Sequence, residues 1–342
     1  MTKTNYLAGI YKGANRVEVE ERPMPEVGPT DVLLRNLRGG ICGTDINIVK
    51  YGVEMGIRFE KEFGHELFGE VEAVGEQVKD IEVGMRVAVN PITAKLAGRR
   101  YSLEVGGFSQ YVLIEEAKLN YNLYQVADSV TPEEGALVEP MSVGCHGAFS
   151  VDPKPGEKIV ILGAGPIGLS AAAMLIGEGI TDVAVVDIVD WRLDKAKELG
   201  AKTINTSNTS LREGLIELFG TADSYGVEVP DVDAFVDAAG APALFKEVIS
   251  LVKPNARYAV VAVYKDDVPL SLMQVMSTEV KIIGASGYTH EDISRVVNHL
   301  NNKKTPITTM ITHVYKLSEI QDAFDTAIAA KDCIKVIVDV TK

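Results

Sequence analysis

A short apolar strand followed by three spaced glycines constrains the fold of this chain more than any other sequence feature. Lys158–Leu162 is an apolar run typical of a buried parallel strand, and Gly163, Gly165 and Gly168 follow it directly. Residues 167–178 then predict a helix. A strand, a G-x-G-x-x-G turn and a helix together indicate the dinucleotide-binding unit of a doubly wound parallel sheet.

The positions of this turn have separate physical reasons. Gly163 allows the tight turn, Gly165 lets a pyrophosphate approach the backbone, and Gly168 lets the helix pack closely on the strand. The helix start, with Pro166 and Ile167, presents free N–H groups and a partial positive charge to the phosphates. The alternative is a glycine turn that binds no nucleotide, and the flanking strand and helix argue against it.

An acidic residue stands where the adenosine ribose would bind. Asp187 ends the second predicted strand, Asp182–Asp187, about 20 residues after the turn. Its carboxylate would accept hydrogen bonds from both ribose hydroxyls and repel a 2′-phosphate, so the sequence predicts NAD rather than NADP. Arg192 is nearby in sequence, and it could weaken this preference, stack on adenine or lie in solvent.

The rest of the chain divides into two patterns, and 342 residues are enough for two domains. Residues 151–290 alternate predicted strands and helices, which indicates a doubly wound parallel sheet. Residues 1–150 have frequent glycine and short β-rich segments, which indicates a barrel-like or sandwich β domain. The predicted fold class is therefore α/β, with a β-rich domain and a Rossmann domain. Further strands are predicted at 31–35, 69–75, 85–91, 232–237, 258–263, 280–284 and 334–339, and helices at 191–199 and 317–330.

Composition excludes several classes of protein. The formal net charge of -14 makes binding to nucleic acid or to an anionic membrane surface unfavourable. Three cysteines cannot form a disulfide framework, and the N-terminal residues lack the pattern of a signal peptide. No apolar stretch is long enough to span a bilayer. These features together predict a cytoplasmic protein.

A second, dispersed set of residues offers metal ligands. Cys42, His65, Glu66 and Glu139 supply a thiolate, an imidazole and carboxylates, which are the ligand types of zinc. Spacing alone leaves simpler interpretations open. A single cysteine is most often a small buried apolar residue, and an isolated histidine is usually a hydrogen-bonded core residue.

Four segments together carry a family resemblance: Cys42-Gly-Thr-Asp, Gly64-His-Glu, Leu137-Val-Glu-Pro and the Gly163 turn. In this order and spacing they resemble the medium-chain dehydrogenase/reductase family, most closely its zinc-dependent polyol branch, which includes sorbitol, butanediol and threonine dehydrogenases. The resemblance covers essentially the whole chain.

The resemblance implies a domain organisation and an assembly. It implies a GroES-like catalytic domain over residues 1–150, completed by 291–342, and a Rossmann NAD-binding domain over 151–290. It places the active site in the cleft between them. It also implies a homo-oligomer, either a dimer or a tetramer.

The resemblance further implies roles for individual residues. Cys42 and His65 match zinc ligands, and Glu66 matches a carboxylate that binds the metal or lies just behind it. Glu139 stands where other branches carry a cysteine ligand, close to the metal or its water. Thr44 matches the hydroxyl that relays the substrate proton.

Neighbouring residues complete this interpretation. Asp45 is interpreted as a residue that orients a ligand rather than one that binds the metal. Thr44 and Glu66 are the predicted catalytic residues.

Two departures from the family pattern are visible. Many relatives hold a structural zinc with four cysteines, whereas residues 90–107 contain none, so one zinc ion per chain is predicted. Many relatives also have a histidine where this chain has Asn47, which cannot shuttle a proton by titration. The route of the proton beyond Thr44 is therefore open.

The predicted function is a zinc-dependent transfer of hydride between a secondary alcohol (a polyol, sugar alcohol or sugar acid) and NAD. The alternatives are a zinc-free NAD(P)-dependent reductase of the same fold and a non-catalytic nucleotide-binding protein. His146 is interpreted as a packing residue and Cys333 as a buried one. Candidates for the substrate pocket, by loop position only, are Tyr51, Phe59, Glu62 and Tyr288. A sugar acid or a phosphorylated polyol is a further possible substrate if Arg58 or Lys61 faces the cleft.

Overall fold

The structure is a computed structural model that describes residues 4–52, 60–94 and 103–342. The strands are β1 Asn5–Tyr11, β2 Val17–Pro23, β3 Val32–Ile41, β4 Glu66–Val74, β5 Arg86–Val89, β6 Tyr111–Ile114, β7 Leu123–Gln125, β8 Lys158–Leu162, β9 Asp182–Asp187, β10 Lys202–Asn205, β11 Thr221–Ser224, β12 Val227–Pro230, β13 Ala234–Asp237, β14 Arg257–Val260, β15 Lys281–Gly284, β16 Ile311–Lys316 and β17 Lys335–Asp339.

The helices are α1 Gly43–Tyr51, α2 Pro132–Gly135, α3 Val138–Ser150, α4 Pro166–Gly177, α5 Asp190–Glu198, α6 Leu211–Phe219, α7 Pro242–Leu251, α8 Leu272–Thr278, α9 His290–Asn301 and α10 Ile320–Ala329. Ile307–Met310 and Leu317–Glu319 form short 3-10 turns. No helix in the described part of the chain is both long and apolar enough to cross a membrane.

The chain forms two compact units. The first contains the residues up to 140 together with 293–303 and 311–342, and the second contains residues 141–292 and 304–310.

The first unit is built on a mixed seven-stranded sheet. Its order is β16-β17-β3-β4-β5-β7, and β6 pairs with β3 outside this path. The hairpin of β1 and β2 forms a separate two-stranded sheet. One face of the large sheet packs against α10 through a cluster in which Phe63, Phe108 and Phe324 lie with ring centroids 5.1 to 5.5 Å apart. This cluster holds the ends of β3 and β4, where the site described below lies.

The second unit confirms the prediction of a doubly wound parallel sheet. Its main sheet has six strands ordered β10-β9-β8-β13-β14-β15, and every neighbouring pair in it is parallel. The antiparallel hairpin of β11 and β12 forms a separate two-stranded sheet. The strand order reverses between β8 and β13, and in such sheets ligands bind outside the carboxyl ends of the strands at this reversal. The central strands β8 and β9 are buried on both faces, which explains why they are mainly apolar runs.

Local sequence predicted the bounds of β8, β9 and α4 closely, and those of α10 less closely. The bounds of β8 and β9 are those predicted, and α4 begins one residue earlier than predicted. The predicted helix at 317–330 is shorter than expected, because its first residues form a 3-10 turn and α10 begins at Ile320.

Helix α3 was not predicted, because its glycines lower helix propensity. In the structure they allow close packing. A Cβ on Gly144 would meet the Ser170 Cβ at 2.6 Å, and one on Gly147 would meet the Val261 Cγ2 at 2.3 Å.

Candidate metal centre and cofactor site

Cys42 lies at the junction of strand β3 and helix α1, and the helix start fixes its side chain. The Cys42 Sγ accepts a hydrogen bond from the Thr44 backbone N–H at 3.2 Å. The Cys42 N–H in turn donates to the Asp45 Oδ2 at 3.0 Å. Because Cys42 caps the helix with its sulfur, the thiol cannot rotate away without leaving the Thr44 N–H unsatisfied.

His65 reaches the same place from the start of strand β4. Strands β3 and β4 are antiparallel, with Gly40 opposite Glu66, so the end of one strand meets the start of the other. Gly64 has a φ of +89°, and a Cβ there would meet the Phe108 Cε2 at 2.7 Å. This glycine turn brings the His65 Nε2 to 3.2 Å from the Cys42 Sγ. The structure therefore joins the two predicted ligands that lie 23 residues apart.

Asp45 approaches the other side of the imidazole. Its Oδ1 lies 3.7 Å from the His65 Nδ1, and its side chain is fully buried. Cys42, Asp45 and His65 each offer one ligand atom, and these atoms lie within 4.8 Å of one another. The sulfur faces Nε2 and the carboxylate faces Nδ1, which is the arrangement in which a carboxylate orients a metal-binding histidine.

The polar atoms of this cluster fit a cation. Among the described residues, the Asp45 Oδ1 and the His65 Nδ1 are buried and make no hydrogen bond. Thiolate, imidazole and carboxylate are the ligand types that zinc prefers, so the donor set of this buried cluster fits a zinc ion.

The electrostatics of the cluster point in the same direction. Burial raises the pKa of the Cys42 thiol, and the Asp45 carboxylate raises it further. Burial likewise raises the pKa of Asp45. Burial opposes the charged form of His65, but Cys42 and Asp45 outweigh it and hold the His65 pKa well above its usual value. Buried groups that can carry negative charge thus surround one imidazole, and their burial disfavours that charge unless a positive group offsets it.

Glu139 belongs to the same electrostatic neighbourhood. It lies in the first turn of α3. Burial raises the pKa of Glu139 to about 7, His65 opposes the shift and Glu66 adds to it. A carboxyl group that releases its proton only near neutral pH is suited to hold or exchange a proton beside the cluster.

Glu66 is positioned by a residue that sequence reasoning missed. The Lys335 Nζ lies 2.8 Å from Glu66 Oε1 and 2.6 Å from Oε2, and it also donates to the Ile41 carbonyl at 3.1 Å. The carboxylate lies against Gly40, where a Cβ would meet the Glu66 Oε2 at 2.1 Å. Burial opposes the charge on Lys335, but Glu66 outweighs it and the Lys335 pKa is raised. The one sequence signal for this pair was a lysine at the start of an otherwise apolar last strand.

The glycine turn in the second unit fits a dinucleotide phosphate. Gly165 caps helix α4 with no side-chain hydrogen bond, and a Cβ on Gly165 would meet no protein atom within 4 Å. Gly163 has a φ of +99°, and a Cβ on Gly168 would meet the Gly163 carbonyl at 1.9 Å. Space is therefore open at Gly165, where a pyrophosphate would approach, and closed at Gly168, where the helix packs on the strand.

Asp187 ties the end of β9 to this turn. Its Oδ2 accepts the Ala164 N–H at 2.7 Å, and its Oδ1 accepts the N–H groups of Ile188 and Val189 at 2.7 and 3.0 Å. A carboxylate that accepts backbone N–H groups is held in place and keeps acceptor capacity for further donors. The Arg192 guanidinium lies 5.4 Å from the centroid of the Trp191 ring, and its role toward a cofactor stays a prediction.

The remaining predicted residues have varied positions. Glu62 is buried and accepts a hydrogen bond from the Tyr6 hydroxyl at 2.6 Å, which indicates a structural role. Tyr51 is half exposed. The structure does not describe Arg58 and Phe59, so their predicted places near the substrate stay predictions. Residues 95–102, which are part of the cysteine-free stretch, also lie outside the described residues.

His146 and the other cysteines take no part in this cluster. The interpretation of His146 as a packing residue is incomplete, because its Nδ1 lies 2.9 Å from the Asp292 Oδ2. Cys145 is fully buried, and Cys333 is 7% exposed, as expected for a buried thiol.

Comparisons with known proteins agree with this geometry. Residues 28–123 match the alcohol dehydrogenase GroES-like domain, and residues 166–302 match the zinc-binding dehydrogenase domain. Sorbitol dehydrogenase from Bacillus subtilis is 30% identical over 98% of this chain and 97% of its own length. Human sorbitol dehydrogenase is 31% identical over 95% of this chain and 93% of its own length.

Solved structures show the same fold. The 2R,3R-butanediol dehydrogenase of Bacillus subtilis has a TM-score of 0.85 at 25% identity and covers 98% of this chain and 99% of its own. An Escherichia coli alcohol dehydrogenase in complex with NADH has a TM-score of 0.83 at 26% identity and covers 98% of this chain and 100% of its own.

Proposed function

This chain belongs to the zinc-dependent medium-chain dehydrogenases, in their polyol branch, and on that premise we propose that it oxidises a secondary alcohol with NAD. The substrate is a polyol, a sugar alcohol or a sugar acid, and the reaction is reversible. The observation that carries the proposal is the 3.2 Å approach of the Cys42 sulfur to the His65 Nε2, with Asp45 on the far side of the ring.

Cys42 and His65 would hold the zinc ion, and Glu66 and Glu139 are the further candidate ligands. When bound, zinc supplies Lewis acidity, which in zinc enzymes lowers the pKa of water by about eight units. Asp45 faces the Nδ1 of His65 and would keep Nε2 free for the metal. The proposal has one zinc ion per chain and no structural zinc, as expected from the cysteine-free residues 90–107.

Thr44 would handle the proton. The Thr44 backbone N–H donates to the Cys42 Sγ at 3.2 Å, and the Thr44 hydroxyl would accept the hydroxyl proton of the substrate. Burial raises the pKa of Glu139, and its carboxyl group would lie close to the metal or its bound water. The Glu66 side chain pairs with the Lys335 ammonium, whose Nζ lies 2.6 Å from Glu66 Oε2.

The second unit would bind the dinucleotide. Gly163, Gly165 and Gly168 shape the turn, and Pro166 and Ile167 begin the helix whose N–H groups face the pyrophosphate. NAD, when bound, accepts hydride at its nicotinamide ring. Asp187 would accept hydrogen bonds from the adenosine ribose and repel a 2′-phosphate, and Arg192 would contact the adenine side of the site.

We also propose that the protein works in the cytoplasm as a dimer or tetramer. Strand β15 is the last strand of its sheet and is paired on one side in the described structure. Helix α8, which precedes β15 in the chain, exposes Leu272, Met273 and Met276, which are 76%, 73% and 68% exposed. An unpaired strand edge and exposed apolar side chains both favour association of two copies. The domain limits 1–150 with 291–342, and 151–290, remain part of the proposal.

A substrate screen of the zinc-loaded protein tests the function. NADH formation is followed by absorbance over secondary polyols, sugar acids and amino alcohols, with zinc content measured on the same sample. We expect turnover with at least one polyol and about one zinc ion per chain. Turnover without bound zinc would instead identify a zinc-free reductase. Inactivity across the panel with intact zinc would favour a non-catalytic nucleotide-binding protein.

A further inference from the structure

A single buried carboxylate organises the carboxyl ends of two strands in the parallel sheet. Asp237 ends β13 and is 1% exposed. Its Oδ1 accepts the N–H groups of Ala239 and Gly240 at 2.9 and 3.0 Å. Its Oδ2 accepts the hydroxyls of Tyr258, at 2.8 Å, and Tyr264. Four donors thus satisfy a buried charge without a cation, which makes this carboxylate a rigid anchor.

The backbone of Asp237 ties in the loop that follows β14. The Asp237 carbonyl accepts the N–H groups of Val261 and Ala262 at 3.0 and 2.9 Å. Tyr264 comes from the same loop, so this loop is attached to Asp237 at two points. Between them lies Val263, whose side chain is 90% exposed.

The turn after β13 lies directly on the dinucleotide turn. A Cβ on Gly163 would meet the Ala239 Cβ at 3.2 Å. Gly240 has a φ of +63°, and a Cβ there would meet the Ala262 Cβ at 3.1 Å and the Val263 carbonyl at 3.2 Å. The glycine turn, the turn after β13 and the loop after β14 therefore form one contiguous layer at this edge of the sheet.

The position of this layer indicates which half of a dinucleotide it would meet. Doubly wound sheets bind a dinucleotide across the point where strand order reverses, with one mononucleotide on each half. The reversal lies between β8 and β13, and Asp187 is on the β8–β10 half. The loops after β13 and β14 are on the opposite half, where the nicotinamide nucleotide would lie.

We propose that Tyr264, acting through Asp237, is a positioning residue that holds residues 261–264 in place for the nicotinamide half of the cofactor. The inference rests on the proposed function, because it requires a nicotinamide dinucleotide at this edge. Burial and the Asp237 carboxylate raise the pKa of Tyr264, so its hydroxyl stays a donor at neutral pH. The ring also packs edge-on against Phe245, with centroids 6.3 Å apart, and keeps this contact when the hydroxyl is removed.

The test compares NADH with AMP, which lacks the nicotinamide half, in the purified full chain. Calorimetry gives the dissociation constant of each ligand for the wild type and for Tyr264→Phe. We expect NADH to bind about 3- to 10-fold more weakly to the variant, which is within the range of one typical net hydrogen bond. AMP affinity should change less than about twofold. Unchanged NADH affinity, or equal losses for both ligands, would overturn the proposal.

Two further measurements separate positioning from a general structural effect. Hydrogen exchange of the amides of Val261 and Ala262 should be faster in Tyr264→Phe and unchanged in Tyr315→Phe. Tyr315 is the matched control, since its hydroxyl bonds Thr326 in the other unit at 2.7 Å.

The double variant Tyr264→Phe/Asp237→Asn should lose no more NADH affinity than Asp237→Asn alone. Additive losses of affinity would contradict an action through Asp237.

Failure of the proposed function has a different signature. If the wild type binds NADH no more tightly than AMP, or binds neither, a nicotinamide dinucleotide is not the ligand of this edge. If the wild type binds NADH tightly and Tyr264→Phe binds it equally tightly, the proposed function stands and the positioning role of Tyr264 is rejected.

Discussion

The Lys335 Nζ lies 2.8 and 2.6 Å from the two carboxylate oxygens of Glu66, and the two side chains are 2% and 1% exposed. These residues lie on β17 and β4, on either side of β3, whose Ile41 carbonyl accepts a third hydrogen bond from the same ammonium. The chain's last strand is thereby joined to the strand that begins beside His65. Both oxygens of Glu66 are engaged by Lys335, so Glu66 fits a position behind the metal better than one in direct contact with it.

Replacing Lys335 by methionine should destabilise the fold by about 3–5 kcal/mol, because it leaves the Glu66 carboxylate buried and unpaired. Urea unfolding measures this loss. The double variant Lys335→Met/Glu66→Gln should recover part of it. Lys202→Met is the matched control, since Lys202 pairs with Asp182 with 40% of its side chain exposed, and we expect a change below about 1 kcal/mol. Equal losses in the two lysine variants would contradict the importance of burial.

Cys42→Ala should lose bound zinc and activity while keeping the parallel-sheet unit folded. The thiol is a predicted ligand and lies 3.2 Å from the His65 Nε2. Elemental analysis gives the zinc content, and AMP binding reports on the second unit. Cys333→Ala removes a buried thiol from the apolar cluster around Phe324 and should keep its zinc. Unchanged turnover in Cys42→Ala would exclude the proposed metal role.

Replacing Gly165 by alanine should weaken cofactor binding, whereas replacing Gly168 by alanine should lower stability. Gly165→Ala should fold with nearly wild-type stability and bind NADH at least about tenfold more weakly, because its Cβ meets no protein atom but would enter the phosphate space. Gly168→Ala should lower the melting temperature of the cofactor-free protein, because its Cβ would lie 1.9 Å from the Gly163 carbonyl. Thermal melts and NADH titrations of both variants check this. Equal melting temperatures for the two variants would be inconsistent with the packing described.

Asp187→Ser combined with Ile188→Arg should shift preference from NAD toward NADP. The substitution removes the carboxylate that would repel a 2′-phosphate and adds a cation at a side chain that is 66% exposed. We expect the ratio of kcat/KM for NAD to that for NADP to fall by about 10- to 100-fold, the range of one or two hydrogen bonds to a charged group. The single variant Ile188→Arg serves as the control and should shift the ratio less. An unchanged ratio in the double variant would remove Asp187 from cofactor selection.

Asp231 should make stability depend on pH in the acid range. Burial opposes its charge, but Lys158 and Lys253 donate hydrogen bonds to it and lower the pKa of Asp231. Because the folded pKa is depressed, the stabilisation is present above the unfolded pKa of about 4 and is lost as pH falls through the folded value. The stability difference between wild type and Asp231→Asn should therefore shrink between pH 7 and pH 3 in urea titrations.

A surface pair provides the comparison for this pH effect. Asp194 pairs with Lys197 at 2.8 Å, but more than half of each side chain is exposed. Asp194→Asn should show little difference from wild type at either pH. A pH-independent difference for Asp231→Asn would mean that the loss comes from packing rather than charge.

Local sequence determined those features that depend on neighbouring residues. The bounds of β8 and β9 follow from continuous apolar runs, and the turn at Gly163 follows from glycine spacing. Helix α3 escaped prediction because Gly144 and Gly147 read as helix breakers, although in the structure they allow close packing. Cys42, His65 and the glycine turn were identified because their types and order are distinctive even without knowledge of distances.

Tertiary structure decided everything that depends on which strands become neighbours. The closeness of Cys42 to His65 depends on the antiparallel register of β3 and β4, and Lys335 reaches Glu66 across 269 residues of sequence. The Asp237 anchor likewise exists only because β13 and β14 end side by side. Residue type and short-range spacing are written in the sequence, whereas burial, charge pairing and distance between remote groups arise only when the sheets form and exclude water.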